Sequence, residues 1–354
     1  MLRLTRRPPR STAQTVLIPK KETAMPRQVY FTTAGGPEVL HLDEVPFNNP
    51  GAGEARIRVD AIGVNRADQM FREGRYFYPP NFPSTLGYEA AGVVEAIGPG
   101  VTEVAVGDSV AVLPAFKLTD YGTYGDYVVV PAAALVPRAA DSDPVTAAAI
   151  WMAYVAAYGA LVEGDPVAKG DHVLLTAATG GVGLAAIQVA NRIGAVPIAT
   201  TRTPAKKQRL LDAGAAHVIV TSEEDLGQRV QEITGGQGVT TAMDPVGGPG
   251  IVEVIKTVSP GGRLLVYGIL DPRNDMSQGL PTVEGIEVSL YTLFGVTGDP
   301  DRRQRAIDFV TAGLTDGAFT PVVDSTFDFT AYAQAHQHME SGQQFGKIVL
   351  TVQH

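Results

Sequence analysis

Between Met25 and about Ala149, apolar and polar positions alternate over short stretches broken by Gly and Pro. This period predicts strands at residues 27–32, 55–64, 90–97, 108–113 and 127–131. Strands so short and so closely spaced build an irregular antiparallel, barrel-like domain. Near Asp143 the period turns helical, with an alanine-rich helix over 145–161. Strands at 172–177, 196–201, 217–221, 239–245 and 263–269 then alternate with helices ending at Ile193 and over 204–213, 226–234 and 251–258. Gly194 and Gly214 stand where two of these helices should close. Such alternation requires right-handed crossovers and therefore a doubly wound parallel sheet, which a strand over 287–294 completes. A helix over 302–312 and a closing strand over 346–352 form a tail. That tail is expected to return to the first domain and leave a cleft between the two.

A chain of 354 residues exceeds one ordinary core, which agrees with two domains. Apolar residues make up 45% and charged residues 18%, and no apolar run approaches the roughly 20 residues of a membrane span. The chain has no cysteine, which excludes disulfides, thiolate catalysis and every cysteine-bearing zinc site. The net charge is −9, unevenly spread: residues 1–24 carry six basic residues against Glu22, leaving −14 on the remainder. An acidic body argues against a nucleic-acid footprint. The basic head is read as a disordered extension before a domain that starts at Met25, a transit-type sequence being the alternative.

The run from His172 to Gln188 carries the first chemistry. An apolar strand enters Ala178-Thr179-Gly180-Gly181-Val182-Gly183, and a helical pattern follows at once. This is an A-x-G-x-x-G form of the dinucleotide-binding turn. Small residues admit a pyrophosphate close to the backbone, and the helix N-terminus supplies N–H groups to hold it. The next strand ends Thr201-Arg202-Thr-Pro-Ala-Lys206 without the carboxylate that selects NAD. Arg202 can fork onto a 2′-phosphate and Lys206 can add a point charge, so the cofactor expected is NADPH.

Further short runs share one order. They are Gly63-Val-Asn65-Arg66-Ala-Asp68, Leu86-Gly-Tyr-Glu89-Ala-Ala-Gly92, Gly107-Asp108-Ser-Val, Gly122-Thr-Tyr-Gly-Asp-Tyr127, Asp244-Pro-Val-Gly-Gly248 and Gly346-Lys-Ile-Val-Leu350. With the glycine turn and Gln188, they make residues 25–354 resemble a zinc-independent medium-chain dehydrogenase/reductase of the quinone oxidoreductase (zeta-crystallin-like) branch. Thr179 and Asn191 depart from that branch, which usually has a smaller and a basic residue there. The resemblance implies an α/β fold with a GroES-like irregular β-barrel catalytic domain at 25–150 and 296–354. It places a Rossmann sheet at 151–295 and the active site in the interdomain cleft. It also implies that Asp244, Gly268, Phe294 and Lys347 join Thr179–Gly183, Thr201, Arg202 and Lys206 around the cofactor. A cytoplasmic homodimer joined through the edge strand 287–294 is expected.

In zinc-dependent relatives, metal ligands stand at the positions of Asn65, Tyr88 and near Met152; none of these residues here is an ordinary zinc ligand. Ala67 replaces the hydroxyl that alcohol dehydrogenases use as a proton relay. The implied reaction is metal-free reduction of a small-molecule quinone or activated enone. Asn65 can donate to the oxygen that gains negative charge, or it can simply cap a turn. Tyr76 has the spacing of the tyrosine in related enoyl-thioester and 2-alkenal reductases, so it is either a proton donor or a pocket wall. Arg66 and Asp68 are expected to pair or to orient their loop. His336 and His338, two apart on a helix, are expected at the surface. A non-enzymatic cofactor-binding role, crystallin-like or RNA-binding, is the remaining alternative.

Overall fold

Residues 54–64, buried at most positions, make the longest strand among the described residues, and the first sheets assemble around it. A computed structural model describes residues 25–273 and 279–354; the extension expected at 1–24 lies outside them. The first half runs β1 (Arg27–Phe31), β2 (Leu40–Glu44), β3 (Glu54–Val64), α1 (Arg66–Arg72), β4 (Ser84–Thr85), β5 (Glu89–Ile97), β6 (Ser109–Val112), β7 (Tyr127–Pro131) and β8 (Leu135–Pro137). β1 lies between β2 and β4 in a small antiparallel sheet, while β3 pairs with both β5 and β7. α1 begins directly after β3, where only a loop is predicted. At seven residues it is too short to show a hydrophobic period.

The helix expected over 145–161 is two: α2 (Pro144–Ala147) and α3 (Trp151–Leu161). Asp143 caps α2 by accepting from the Val145 and Thr146 N–H groups, and the chain bends through Ala148–Ala149 before α3 restarts. The segment Pro144–Leu161 is long and apolar enough to cross a membrane, but 78% of it is buried inside the protein. It is the shared core between the two halves.

β9 (His172–Leu175), α4 (Gly181–Ile193), β10 (Val196–Thr201), α5 (Lys207–Asp212), β11 (His217–Val220), α6 (Leu226–Thr234), β12 (Val239–Asp244), α7 (Ile251–Ile255), β13 (Val258–Val266) and β14 (Glu287–Leu290) follow. Their parallel sheet has the order β11-β10-β9-β12-β13-β14, the doubly wound arrangement with its switch point between β9 and β12. β13 starts and ends earlier than the expected 263–269. The chain turns at Gly268, where a Cβ would stand 2.7 Å from the Pro245 carbonyl oxygen. The strand expected over 287–294 stops at Leu290, because Tyr291 leaves the sheet to donate its hydroxyl to the Ala156 carbonyl, 2.9 Å. β14 is an edge, and Leu290 on it is half-exposed.

The tail comprises α8 (Phe294–Thr297), α9 (Pro300–Thr315), β15 (Val323–Asp328), α10 (Tyr332–Ser341) and β16 (Lys347–Thr351). β16 pairs antiparallel with β3 and parallel with β15, so the last strand enters the first half's sheet. Gly346 also donates its N–H to the Thr179 carbonyl, 2.9 Å, tying this strand to the glycine turn of the other half.

Candidate active site

The glycine turn is shaped by close backbone approach. After β9 the chain passes through Ala177 in the left-handed region, φ 46°, which an L-residue rarely adopts. At Gly183 a Cβ would stand 2.5–2.7 Å from three backbone atoms of Ala178, so only glycine lets α4 pack against the turn. At Gly180 and Gly181 the nearest atoms are 3.8 Å away; their missing side chains leave open space instead. The first turn of α4 faces that space with N–H groups for which the helix has no acceptor.

The space is part of a cavity of about 980 Å³ between the two halves. Asn65, Tyr76, Thr179–Gly183, Thr201, Arg202, Lys206, Asp244, Gly268, Phe294 and Lys347 all line it. At one end Thr201 is buried and Arg202 exposed, and among the described residues Arg202 forms no hydrogen bond or ion pair. Lys206 donates to the carbonyls of Gly342 and Gln344, 3.1 and 3.0 Å, so it holds the loop between α10 and β16. Burial and then the neighbouring Arg202 lower its pKa. In the middle, the Asp244 carboxylate accepts from the Thr176 hydroxyl and from the Gly247 N–H, 2.6 Å. Burial raises its pKa and these bonds oppose the rise.

The opposite end is aromatic, with one buried charge pair. Tyr88 packs on Phe294 and Phe116 with ring centroids 5.6 and 5.7 Å apart. The Tyr88 hydroxyl donates to Tyr76, 3.3 Å, and shares a 2.6 Å bond with Tyr78. Burial pushes the Tyr76 phenol well above its usual range, so it stays protonated. Lys347, which lines the same cavity, donates to Asn65 Oδ1 and to Glu89 Oε2, both at 2.5 Å. The Asn65 amide nitrogen donates to the Gly63 carbonyl, 3.0 Å. Asn65 does not project from a loop: it immediately precedes α1, and its N–H donates to Asp68, 2.9 Å.

One expectation is met in its second form and another fails. Arg66 and Asp68 do not pair, but Asp68 orients the segment by accepting the Asn65 N–H. Arg66 donates to Gln69 and to the Met339 carbonyl and lines the cavity, whereas Asp68 points into the interior and is fully buried. His336 is not at the surface but fully buried. It accepts from Arg72 at Nδ1, 2.8 Å, which leaves the Nε2 proton for Tyr124, 3.1 Å. Burial and Arg72 lower its pKa to about 3, so it is neutral. His338 is partly exposed and pairs with Asp324, 2.9 Å.

The comparisons with known proteins fit this geometry. Residues 51–141 match the alcohol dehydrogenase GroES-like domain family, and residues 181–312 match the zinc-binding dehydrogenase family. A 2-haloacrylate reductase from a Burkholderia species is 32% identical over 329 residues, covering 90% of this chain and 97% of that protein. A quinone oxidoreductase from Pseudomonas aeruginosa is 31% identical, covering 92% and 99%. The chain belongs to the zinc-independent quinone oxidoreductase family of medium-chain dehydrogenases/reductases. The Escherichia coli quinone oxidoreductase complexed with NADPH superposes with a TM-score of 0.84 at 29% identity, covering 92% of this chain and 99% of that one.

For this family member the zinc of its metal-dependent relatives does not fit. Asn65 Oδ1 and Glu89 Oε2 are both engaged by the Lys347 ammonium, and Glu89 Oε1 accepts the Met152 N–H, 3.1 Å. Among the described residues, no group of three His, Cys, Asp or Glu could hold a metal ion. Two participants were named in the sequence but given no place in the site: Arg66, which follows Asn65, and Glu89, which belongs to the Leu86–Gly92 run but lies 258 residues from its partner Lys347.

Proposed function

We propose that this chain is an NADPH-dependent reductase of quinones or activated enones that works without a metal. One observation carries the reading: a single cavity joins Arg202, unpaired among the described residues, the glycine turn and an end lined by Asn65, Tyr76 and Lys347. The open cradle at Gly180 and Gly181 fits a dinucleotide pyrophosphate, and NADPH when bound supplies a hydride. Thr179–Gly183 hold the pyrophosphate, with Arg66 across the cavity. Thr201, Arg202 and Lys206 hold the ribose and its 2′-phosphate. Asp244, Gly268, Phe294 and Lys347 shape the space for the nicotinamide. Tyr76 and Phe294, the latter backed by Tyr88, wall off water and accept a flat acceptor against their rings. In this reading residues 25–150 with 296–354 are the catalytic domain and 151–295 the cofactor domain.

The printed activities of the relatives support the same class, since one is a quinone oxidoreductase and another reduces a 2-haloacrylate. Reduction of an enoyl thioester or 2-alkenal is the second reading, and the protonated Tyr76 hydroxyl in the cavity favours it. Purified protein is expected to oxidise NADPH at least about tenfold faster than NADH, with an ortho-quinone or an α,β-unsaturated ketone as acceptor. Tyr76→Phe separates the two readings. Loss of enone turnover with quinone turnover retained makes Tyr76 the proton donor, and retention of both makes it a wall. Turnover of neither acceptor by the wild type refutes the proposal.

The exposed edge of β14 supports a homodimer built by antiparallel pairing of two such edges. Sedimentation at micromolar concentration is expected to show one species of twice the chain mass. A strict monomer refutes the edge pairing.

A further inference from the structure

We propose that the Lys347 ammonium is the fixed positive charge of the active site, the group that holds the acceptor oxygen as it becomes negative; this rests on the reductase reading above. A lysine and a glutamate that are 5% and 0% exposed are costly to bury, and a hydrophobic pair of the same volume would serve stability as well. The surroundings are built around this pair all the same. A Cβ at Gly63 would meet the Ala148 carbonyl oxygen at 2.1 Å and come within 2.9 Å of both Glu89 Oε2 and Lys347 Cε, so the glycine on β3 makes room for that backbone and for the pair together. Gly346, the preceding residue, is bound to Thr179 of the glycine turn, which fixes where Lys347 enters the cavity.

The hydrogen bonds divide the roles. An ammonium has three N–H donors, of which Asn65 Oδ1 and Glu89 Oε2 take two. One donor is left for a ligand. Asn65 keeps one amide N–H after donating to Gly63, but it is neutral and its oxygen faces Lys347, so it does not supply the charge. Asn65 and Glu89 orient the charge and Lys347 carries it. The ammonium thus contacts Asn65, one of the positions at which zinc-dependent relatives place a metal ligand. A hydride from NADPH adds to the conjugated acceptor and an electron pair moves onto its carbonyl oxygen. The ammonium donates a hydrogen bond to that oxyanion, and a solvent proton then completes the reduced product.

The test uses Lys347→Met and the double variant Lys347→Met/Glu89→Gln, which leaves no unpaired charge behind if the single variant fails to fold. Three readouts are taken: NADPH affinity by fluorescence, turnover of enone and quinone, and absorbance titration of bound 4-nitrophenol, a phenolate mimic of the oxyanion. The double variant is expected to lose about 100-fold in kcat, well beyond any loss of NADPH affinity. Bound 4-nitrophenol should ionise at least about one pH unit lower on the wild type than on the variant. Equal ionisation, weaker or no preference of the phenolate for wild type, or unchanged kcat overturns the inference. So does an NADPH affinity that falls in step with turnover, which would make Lys347 a cofactor ligand only. A wild type inactive on both acceptors sinks the reductase reading alone, and the 4-nitrophenol titration still decides the role of the ammonium.

Discussion

Gly183→Ala is expected to destabilise the protein by about 2–3 kcal/mol, because the added methyl meets atoms that cannot rotate away. Its contacts at 2.5–2.7 Å are the Cα, C and O of Ala178, all backbone. Relief therefore requires α4 to move away from the turn or the turn to move away from β9. Either shift displaces the N–H groups at the start of α4, so NADPH affinity should fall at least about tenfold along with stability. Thermal unfolding should show a drop of roughly 5–10 °C. Gly181→Ala is the control: its Cβ would lie 3.8 Å from Ala153 and strains nothing. It projects toward the cofactor space, so it should weaken NADPH while sparing Tm. Unchanged Tm and unchanged affinity in Gly183→Ala would refute the packing argument.

Asp68→Asn is expected to remove a pH dependence of stability between about pH 4 and 7. Burial raises the Asp68 pKa to about 7, well above the usual carboxyl range, with the Asn65 N–H, Lys347 and Tyr124 pulling it down and Glu89 up. Its Oδ1 is buried without a hydrogen-bond partner, an arrangement that suits a protonated carboxyl better than a carboxylate. Because the folded pKa lies above the unfolded one, the native state binds the extra proton between the two values. Stability is then greatest below about pH 4 and declines as pH rises through 7. A separation of about three units corresponds to at most roughly 4 kcal/mol. Asparagine does not titrate, so the stability of Asp68→Asn relative to wild type should climb by a few kcal/mol from pH 5 to pH 8. Paired denaturant titrations across that range measure it, and a flat difference would mean that Asp68 titrates as an ordinary carboxyl.

The local features of this chain were legible because their physics is local. The strand, glycine turn and helix at 172–193 announce themselves by a change of period within a few residues. The strand end at Thr201-Arg202 shows its missing carboxylate without any reference to the fold. The helix over Leu226–Thr234 and the strand over Val196–Thr201 have the expected bounds. Errors collected where partners come from far along the chain. His336 sits among polar residues of α10 and reads as a surface residue. It is buried because Arg72 and Tyr124, 264 and 212 residues away, satisfy both ring nitrogens. Asp68 looks like a partner for its neighbour Arg66, but α1 turns the two side chains apart, one into the interior and one into the cavity.

The sequence by itself determined the α/β class, the A-x-G-x-x-G turn between strand and helix, the missing carboxylate after Thr201 and the exclusion of cysteine chemistry. Each follows from residue type and from spacing within a turn or a strand. Only the tertiary structure decided which side chains share the far end of the cavity. Lys347 reaches Asn65 across 282 residues and Glu89 across 258 because β16 closes antiparallel onto β3. That closure depends on burying the faces of both strands together, and no local period encodes it.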